Sequence, residues 1–231
     1  MNCCKPDTHD TDSRIEERME PVHIPEEGRE RTSEKMEQFI YPSIYESHLS
    51  NVLISNSEIK SRVKDISKAF QESYPLTEPL VLVCTLKGAN PFFAALLEEL
   101  SALSIPYIFE FLRAKSYIGT ESSGDVKVMS ADIPSLKGRH VIIVEDIVDT
   151  GGTLQKLLPI IHSCGPKTVE VCTLLTKRLI KGNGSISPKF TGFSVPDAFV
   201  VGYGLDYNEM YRDLRDIWIL GEKGIALGGW K

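Results

Sequence analysis

Val141-Ile142-Ile143-Val144-Glu145-Asp146-Ile147-Val148-Asp149-Thr150-Gly151-Gly152-Thr153-Leu154 runs from an apolar strand through three acids and a glycine pair into a helix. The β-branched residues at 141–144 suit a strand buried on both faces, and such strands belong to parallel sheets. Ligands of parallel sheets bind beyond the carboxyl ends of the strands. The turn after such a strand can aim several backbone N–H groups at one point, and the next helix adds the positive end of its dipole. Gly151 and Gly152 leave room for a phosphate, while Thr150 and Thr153 add hydroxyl donors. Residues 149–153 therefore suit one phosphate group. Carboxylates beside a phosphate imply that the same ligand also offers donors. Ribose hydroxyls fit, accepted by Glu145 and Asp146 directly or through Mg²⁺, and the whole suggests a sugar 5-phosphate. A purely structural turn would have little reason to collect Glu145, Asp146 and Asp149. A dinucleotide site is disfavoured because G-x-G-x-x-G spacing is absent from this stretch.

The alternation continues outward. Ser55-Asn56-Ser57-Glu58 has capping-box spacing, and Ile59, Val63, Ile66 and Phe70 follow on one helical face. Residues 80–86 read as another buried strand. Asn90 and Pro91 read as N-cap and first residue of a helix carrying Phe93, Leu96, Leu97 and Leu100. Strands are predicted at 106–112, 141–145, 168–176, 198–203 and 217–220, with a helix over 154–163 interrupted by Pro159. The polar stretch 113–137 is too long for a simple connection. Strands alternating with helices define an α/β fold around a mainly parallel sheet.

The 231 residues correspond to one large domain or two small ones. With 42% hydrophobic and 25% charged residues the composition is that of a globular chain, which excludes a collagen, a mucin-like stalk and a disulfide scaffold. No apolar run approaches bilayer thickness, and the first thirty residues lack the apolar core of a secretory signal, so no membrane partner is expected. Cysteines 3, 4, 84, 164 and 172 are odd in number and contain no C-x-x-C, which points to a reducing, cytoplasmic location. Residues 1–38 hold 11 acids and 6 bases, and the remainder 21 acids and 20 bases, so most of the net charge of −6 lies at the N-terminus. A nearly neutral body argues against nucleic acid as the main partner. Residues 1–37 read as an acidic flexible tail, too poor in large apolar residues to offset the entropy of ordering. The folded domain is expected over 38–231. The histidines form no metal pattern, and Trp218 and Trp230 read as packing residues.

The stretch 141–153 resembles the phosphoribosyl-pyrophosphate (PRPP) signature of type I phosphoribosyltransferases. Its wording is similar to that of the hypoxanthine-guanine members. Further blocks follow in the same order: Leu86-Lys87-Gly88, the 113–128 stretch, Lys177-Arg178, the run from Val200 to Glu209, and Tyr211-Arg212-Asp213-Leu214. The resemblance covers about 75–220. It implies the type I phosphoribosyltransferase fold, a twisted, mainly parallel sheet flanked by helices. The core would be about 76–204, with a small hood lobe from 38–75 and 205–231. The implied reaction is purine salvage: hypoxanthine or guanine plus PRPP gives IMP or GMP plus pyrophosphate, with Mg²⁺, in a homodimer or homotetramer.

The resemblance also implies roles. Asp149 is the catalytic acid or base near purine N7, unless it only caps the next helix. Glu145, Asp146, Ile147, Val148, Asp149, Thr150, Gly151, Gly152 and Thr153 hold the phosphate and ribose. Lys87, Gly88 and Arg212 hold pyrophosphate, in a loop that often opens with a non-proline cis peptide. Ser116 and Tyr117 belong to a lid that excludes water. Lys177 donates to the purine O6 and so selects 6-oxo over 6-amino bases. Phe199 stacks on the base or packs in the core, and the Val200 backbone meets the base edge. Asp206, with Glu145 and Asp146, holds the metal; Asp206 and Arg212 could instead form an ordinary ion pair. Two departures stand out. Ala89 replaces a glycine, and Gly152 replaces a lysine of the vertebrate members, which predicts slightly weaker phosphate binding. A regulator with the same fold that binds PRPP or nucleotide without turnover is the alternative. Transferases for adenine, orotate or uracil are disfavoured by Lys177 and the Phe199-Val200 pair.

Overall fold

The computed structural model describes residues 17–26, 39–113, 136–179 and 186–227. The expected lid residues Ser116 and Tyr117 lie outside them. The apolar strand of the opening stretch is β5 (His140–Val148), three residues longer at its carboxyl end than predicted. It lies between β3 (Leu80–Leu86) and β6 (Thr168–Lys177) and is parallel to both. With β1 (Val22–His23), β4 (Tyr107–Arg113) and β7 (Phe190–Val195) they form a six-stranded sheet in the order β1-β7-β6-β5-β3-β4, every pairing parallel. The α/β fold with helices flanking a mainly parallel sheet is as predicted.

Successive strand residues point to opposite faces, so each strand feeds two cores. Leu80, Leu82, Cys84, Ile142 and Val144 face the layer built by α1 (Asn56–Ser73) and α2 (Asn90–Ala102). Val81, Val83, Val141 and Ile143 face α3 (Gly152–Ser163), which contributes Leu154, Leu157 and Ile161. The capping box forms as predicted: the Ser55 hydroxyl accepts from the Glu58 N–H, and the Glu58 carboxylate accepts from the Ser55 N–H at 2.9 Å. Two local expectations are corrected. Ala89, not Asn90, is the N-cap of α2, with Asn90 and Pro91 already inside the first turn, where proline's missing N–H leaves no bond unmade. Helix α3 also continues through Pro159, which lies with Gln155 on its exposed side, away from the packed core.

A second, antiparallel sheet joins both ends of the chain. It orders β2 (Leu49–Ile54), β9 (Ile217–Leu220) and β8 (Val200–Val201) as β2-β9-β8. Trp218 fills its core with Tyr45, Val52, Val201, Tyr211 and Leu214. Phe39 and Tyr41 meet the indole edge-on, with ring centroids 5.6 and 5.3 Å away. These residues form a small lobe of their own, while Ile59, Val63, Ile66 and Phe70 of α1 pack in the main core. The strand expected over 198–203 is only two residues long, because the chain turns at Gly202 with φ +98°. A short α4 (Glu222–Leu227) follows β9.

The expectation of a flexible tail does not hold for residues 17–26. Val22 and His23 pair in register with Phe193 and Ser194, and Ile24 is buried. Two arginines fasten this segment. Arg62 donates to the carbonyls of Gly192 and Thr191, each at 2.9 Å, and to that of Glu20. Arg178 donates to the Ile24 carbonyl at 2.7 Å, to the Ser194 carbonyl at 2.6 Å and to the Glu26 carboxylate at 2.8 Å. Backbone carbonyls do most of the holding, so side-chain composition carried no sign of it. Among the described residues, no helix is long and apolar enough to cross a membrane.

Candidate active site

The carboxyl ends of the parallel strands open into a cleft of about 420 Å³ lined by residues 145–154 and Lys156. The sequence dictates this turn directly. Strand β5 ends at Val148, and Gly151 takes φ +77° as the N-cap of α3 with no side-chain cap. Asp149 is therefore not the cap of that helix.

At the floor of the cleft, Glu145 is buried and Asp146 half-buried. The Thr85 hydroxyl donates to the Glu145 carboxylate, and the Ile147 N–H donates to Asp146 Oδ1 at 2.9 Å. Burial pushes the Glu145 carboxyl above its usual range, the neighbouring Asp146 charge adds to this, and the Thr85 bond opposes it. Burial likewise raises Asp146, against the pull of its backbone donors. Two carboxylates kept from water in this way favour any incoming cation or hydroxyl donor.

On the neighbouring strand end, Lys177 reaches back to the cleft mouth. Its largely buried ammonium lies 3.1 Å from Asp149 Oδ2 and 3.7 Å from Asp197 Oδ1. The same ammonium stands 5.7 Å from the centroid of the Phe199 ring. Phe199 is 51% exposed and meets Tyr207 edge-on at 5.3 Å, so it is not a core residue. Val200 begins β8, an edge strand, and one side of its backbone lies outside the ladder.

The third wall comes from the loop after β3 and the segment after β8. The Leu86–Lys87 peptide is cis. Lys87 Nζ lies 2.8 Å from Glu209 Oε2, and Arg212 Nη2 lies 2.8 Å from Asp206 Oδ1 and 3.4 Å from Glu209 Oε2. The hydrogen bond from Lys87, with the charge of Arg212, holds the Glu209 carboxyl below its usual range. Arg212 also donates to the Gly204 carbonyl at 2.7 Å, while its buried Nε has no acceptor among the described residues. Backbone contact closes this wall. Gly204 has φ +94°, and a Cβ there would stand 2.1 Å from the Gly88 carbonyl oxygen. On the other side of the same loop, Asp146 Oδ2 fills the space that a side chain at Gly88 would need. Gly204→Ala must push loop 86–89 away or distort its own backbone. It is expected to lower unfolding free energy by about 1–3 kcal/mol, read as a lower urea midpoint.

The structure thus brings the expected residues of 145–153, Lys177, Phe199, Val200, Lys87, Gly88, Asp206 and Arg212 to the end of the sheet. It does not gather Glu145, Asp146 and Asp206 into one ligand cluster: among the described residues no three His, Cys, Asp or Glu groups are spaced to hold an ion alone. Asp206 is held by Arg212 and by the Glu209 N–H at 2.8 Å instead. Sequence reasoning overlooked Thr85, Asp197, Tyr207, Glu209 and Lys156. Glu209 lies inside a quoted block and its charge was a usable signal; Thr85, within an apolar strand, offered none.

A family model described as a phosphoribosyl transferase domain matches residues 54–208, and the chain belongs to the phosphoribosyltransferase family. Within it the likeness is to hypoxanthine-guanine phosphoribosyltransferases. Those of Homo sapiens and Mus musculus are each 40% identical to it, over 83% of this chain and 90% of theirs. A solved Schistosoma mansoni hypoxanthine-guanine phosphoribosyltransferase in complex with IMP is 33% identical, with a TM-score of 0.74, covering 91% of this chain and all of that one. Trypanosoma cruzi hypoxanthine phosphoribosyltransferase in complex with its product IMP is 37% identical, with a TM-score of 0.68, covering 74% and 94%.

Proposed function

We propose that this chain is a purine-salvage transferase that joins hypoxanthine or guanine to the ribosyl group of PRPP, giving IMP or GMP and pyrophosphate. The observation that carries this reading is the Asp149–Lys177 pair at 3.1 Å above the phosphate-type turn. O6 and N7 are adjacent acceptor positions on one edge of a 6-oxopurine. An ammonium and a carboxylate side by side suit O6 and a protonated N7. Lys177 donates to O6, and Asp149 accepts the N7 proton as N9 forms its bond to C1′. Phe199, exposed beside Lys177, offers a face for the ring. The residues 149–153 take the 5-phosphate, and Glu145 and Asp146 accept from the ribose hydroxyls.

Lys87 and Arg212 supply the positive charge for the leaving pyrophosphate, which would exchange with Glu209 and Asp206 as their partner. Glu145 and Asp146, adjacent oxygen donors at the cleft floor, suit a hard divalent cation. Mg²⁺ ordinarily completes its shell from substrate oxygens and water rather than from a protein cage. When bound, Mg²⁺ would spread the charge of the departing pyrophosphate. The free thiols of Cys84, Cys164 and Cys172 accord with a cytoplasmic setting. A homodimer or homotetramer is the assembly we expect.

The test is a spectrophotometric assay with PRPP and Mg²⁺, offering hypoxanthine, guanine, xanthine and adenine separately. Turnover of hypoxanthine and guanine, with none of adenine, is expected. Binding of PRPP or nucleotide without turnover of any base would replace this reading with that of a nucleotide-binding regulator.

A further inference from the structure

We propose that Lys156 is a phosphate-binding residue, whose ammonium pairs with the 5-phosphate of the ribosyl ligand and supplies the cation that loop 149–153 lacks. This rests on the phosphoribosyl reading of the cleft. The cleft lining carries the carboxylates Glu145, Asp146 and Asp149; the Lys177 ammonium at its mouth is committed to Asp149 at 3.1 Å, and Lys156 is the one cationic side chain among the described lining residues themselves. A phosphate dianion entering beside three carboxylates meets like charge at short range. Backbone N–H groups offset part of that repulsion, and an ammonium offsets more.

The helix geometry directs the Lys156 side chain toward the cleft that it lines. Lys156 follows Gly152 by four residues, so the two share a face of α3 one turn apart. Helical side chains lean toward the N-terminus of their helix, which carries the Lys156 stem back over the first turn toward the cleft. The first turn of α3 contains no acid to divert it. Lys156 is exposed and, among the described residues, has no carboxylate partner. The position one turn earlier is open as well. A Cβ at Gly152 would meet only Thr150 Oγ1, at an ordinary 3.7 Å. The same charge can therefore be supplied from either residue, and this chain supplies it from the second.

Calorimetric titration of the full chain with IMP and with inosine separates the phosphate contribution from that of the base and ribose. Wild-type protein is expected to bind IMP more tightly than inosine. Lys156→Gln should weaken IMP roughly three- to tenfold and leave inosine unchanged, and Lys156→Arg should keep the wild-type values. Gly152→Lys should restore most of the loss in the Lys156→Gln background and add less in the wild type, as expected for two positions serving one phosphate. Wild-type IMP affinity in Lys156→Gln, or an equal loss for IMP and inosine, would overturn the role of Lys156. A wild-type protein that binds IMP no more tightly than inosine would overturn the phosphate reading of the cleft, and the proposal with it.

Discussion

Asp149→Asn is expected to lower the turnover of hypoxanthine about a hundred- to ten-thousandfold while the protein stays folded. Asparagine keeps the shape of the side chain and its hydrogen-bonding reach but cannot take up a proton. The substitution removes no helix cap, because α3 is capped by Gly151 and has no side-chain cap. It does not strand Lys177, whose ammonium keeps Asp197 at 3.7 Å. Asp149 is also half exposed, so its replacement leaves no buried group unpaired. A fall in kcat with an unchanged melting temperature is the outcome that assigns proton transfer to this carboxylate. Wild-type turnover in the folded variant would remove Asp149 from the mechanism. A melting temperature that fell with the rate would make it structural.

The second large effect concerns stability. Trp218→Ala should lower unfolding free energy by about 3–5 kcal/mol, a large share of the roughly 5–15 kcal/mol that holds a typical domain together. Trp218 is 1% exposed and sits on the middle strand of the small sheet. Its indole is flanked by Phe39, Tyr41, Val52, Val201, Tyr211 and Leu214. Those neighbours come from both ends of the chain, so no local rearrangement fills the space left behind. The same lobe carries Asp206, Glu209 and Arg212, which means that loosening it should also disturb the wall facing Lys87. Urea unfolding of the variant measures the loss directly. A midpoint equal to wild type would show that the indole is not what ties the lobe together.

The parts of the fold that were legible in the sequence carry their signals locally. Residues 141–144 need no partner to announce a buried strand, and Ser55 and Glu58 announce a helix start by spacing alone. Strand β7 lacks such a signal. Its Phe-Thr-Gly-Phe-Ser-Val run is centred on Gly192, and glycine is required there because a Cβ would stand 2.5 Å from the Leu174 carbonyl oxygen of β6. That is a fact about the neighbouring strand, which no local pattern records. Strand β1 is held at its flanks, with Arg62 donating to the Glu20 carbonyl and Arg178 to that of Ile24, both from distant elements, and its acidic surroundings hid it. The site divides in the same way. Residues 149–153 were readable from turn chemistry. The pairs Thr85–Glu145, Lys87–Glu209 and Lys177–Asp149 join residues from different strands and loops, and only folding brings them together.

The pairing of Val22 with Phe193 sets an order of events during synthesis. The first strand of the sheet docks beside one of the last to be made. At roughly 5–20 residues per second, about ten to thirty seconds separate the two on the ribosome. Through that interval the N-terminal segment has no place to dock. The four strands β3, β4, β5 and β6 can pair as each emerges, so the sheet grows in one direction, from its β4 edge toward β7. Its edge beyond β7 is closed only when the oldest part of the chain returns to it.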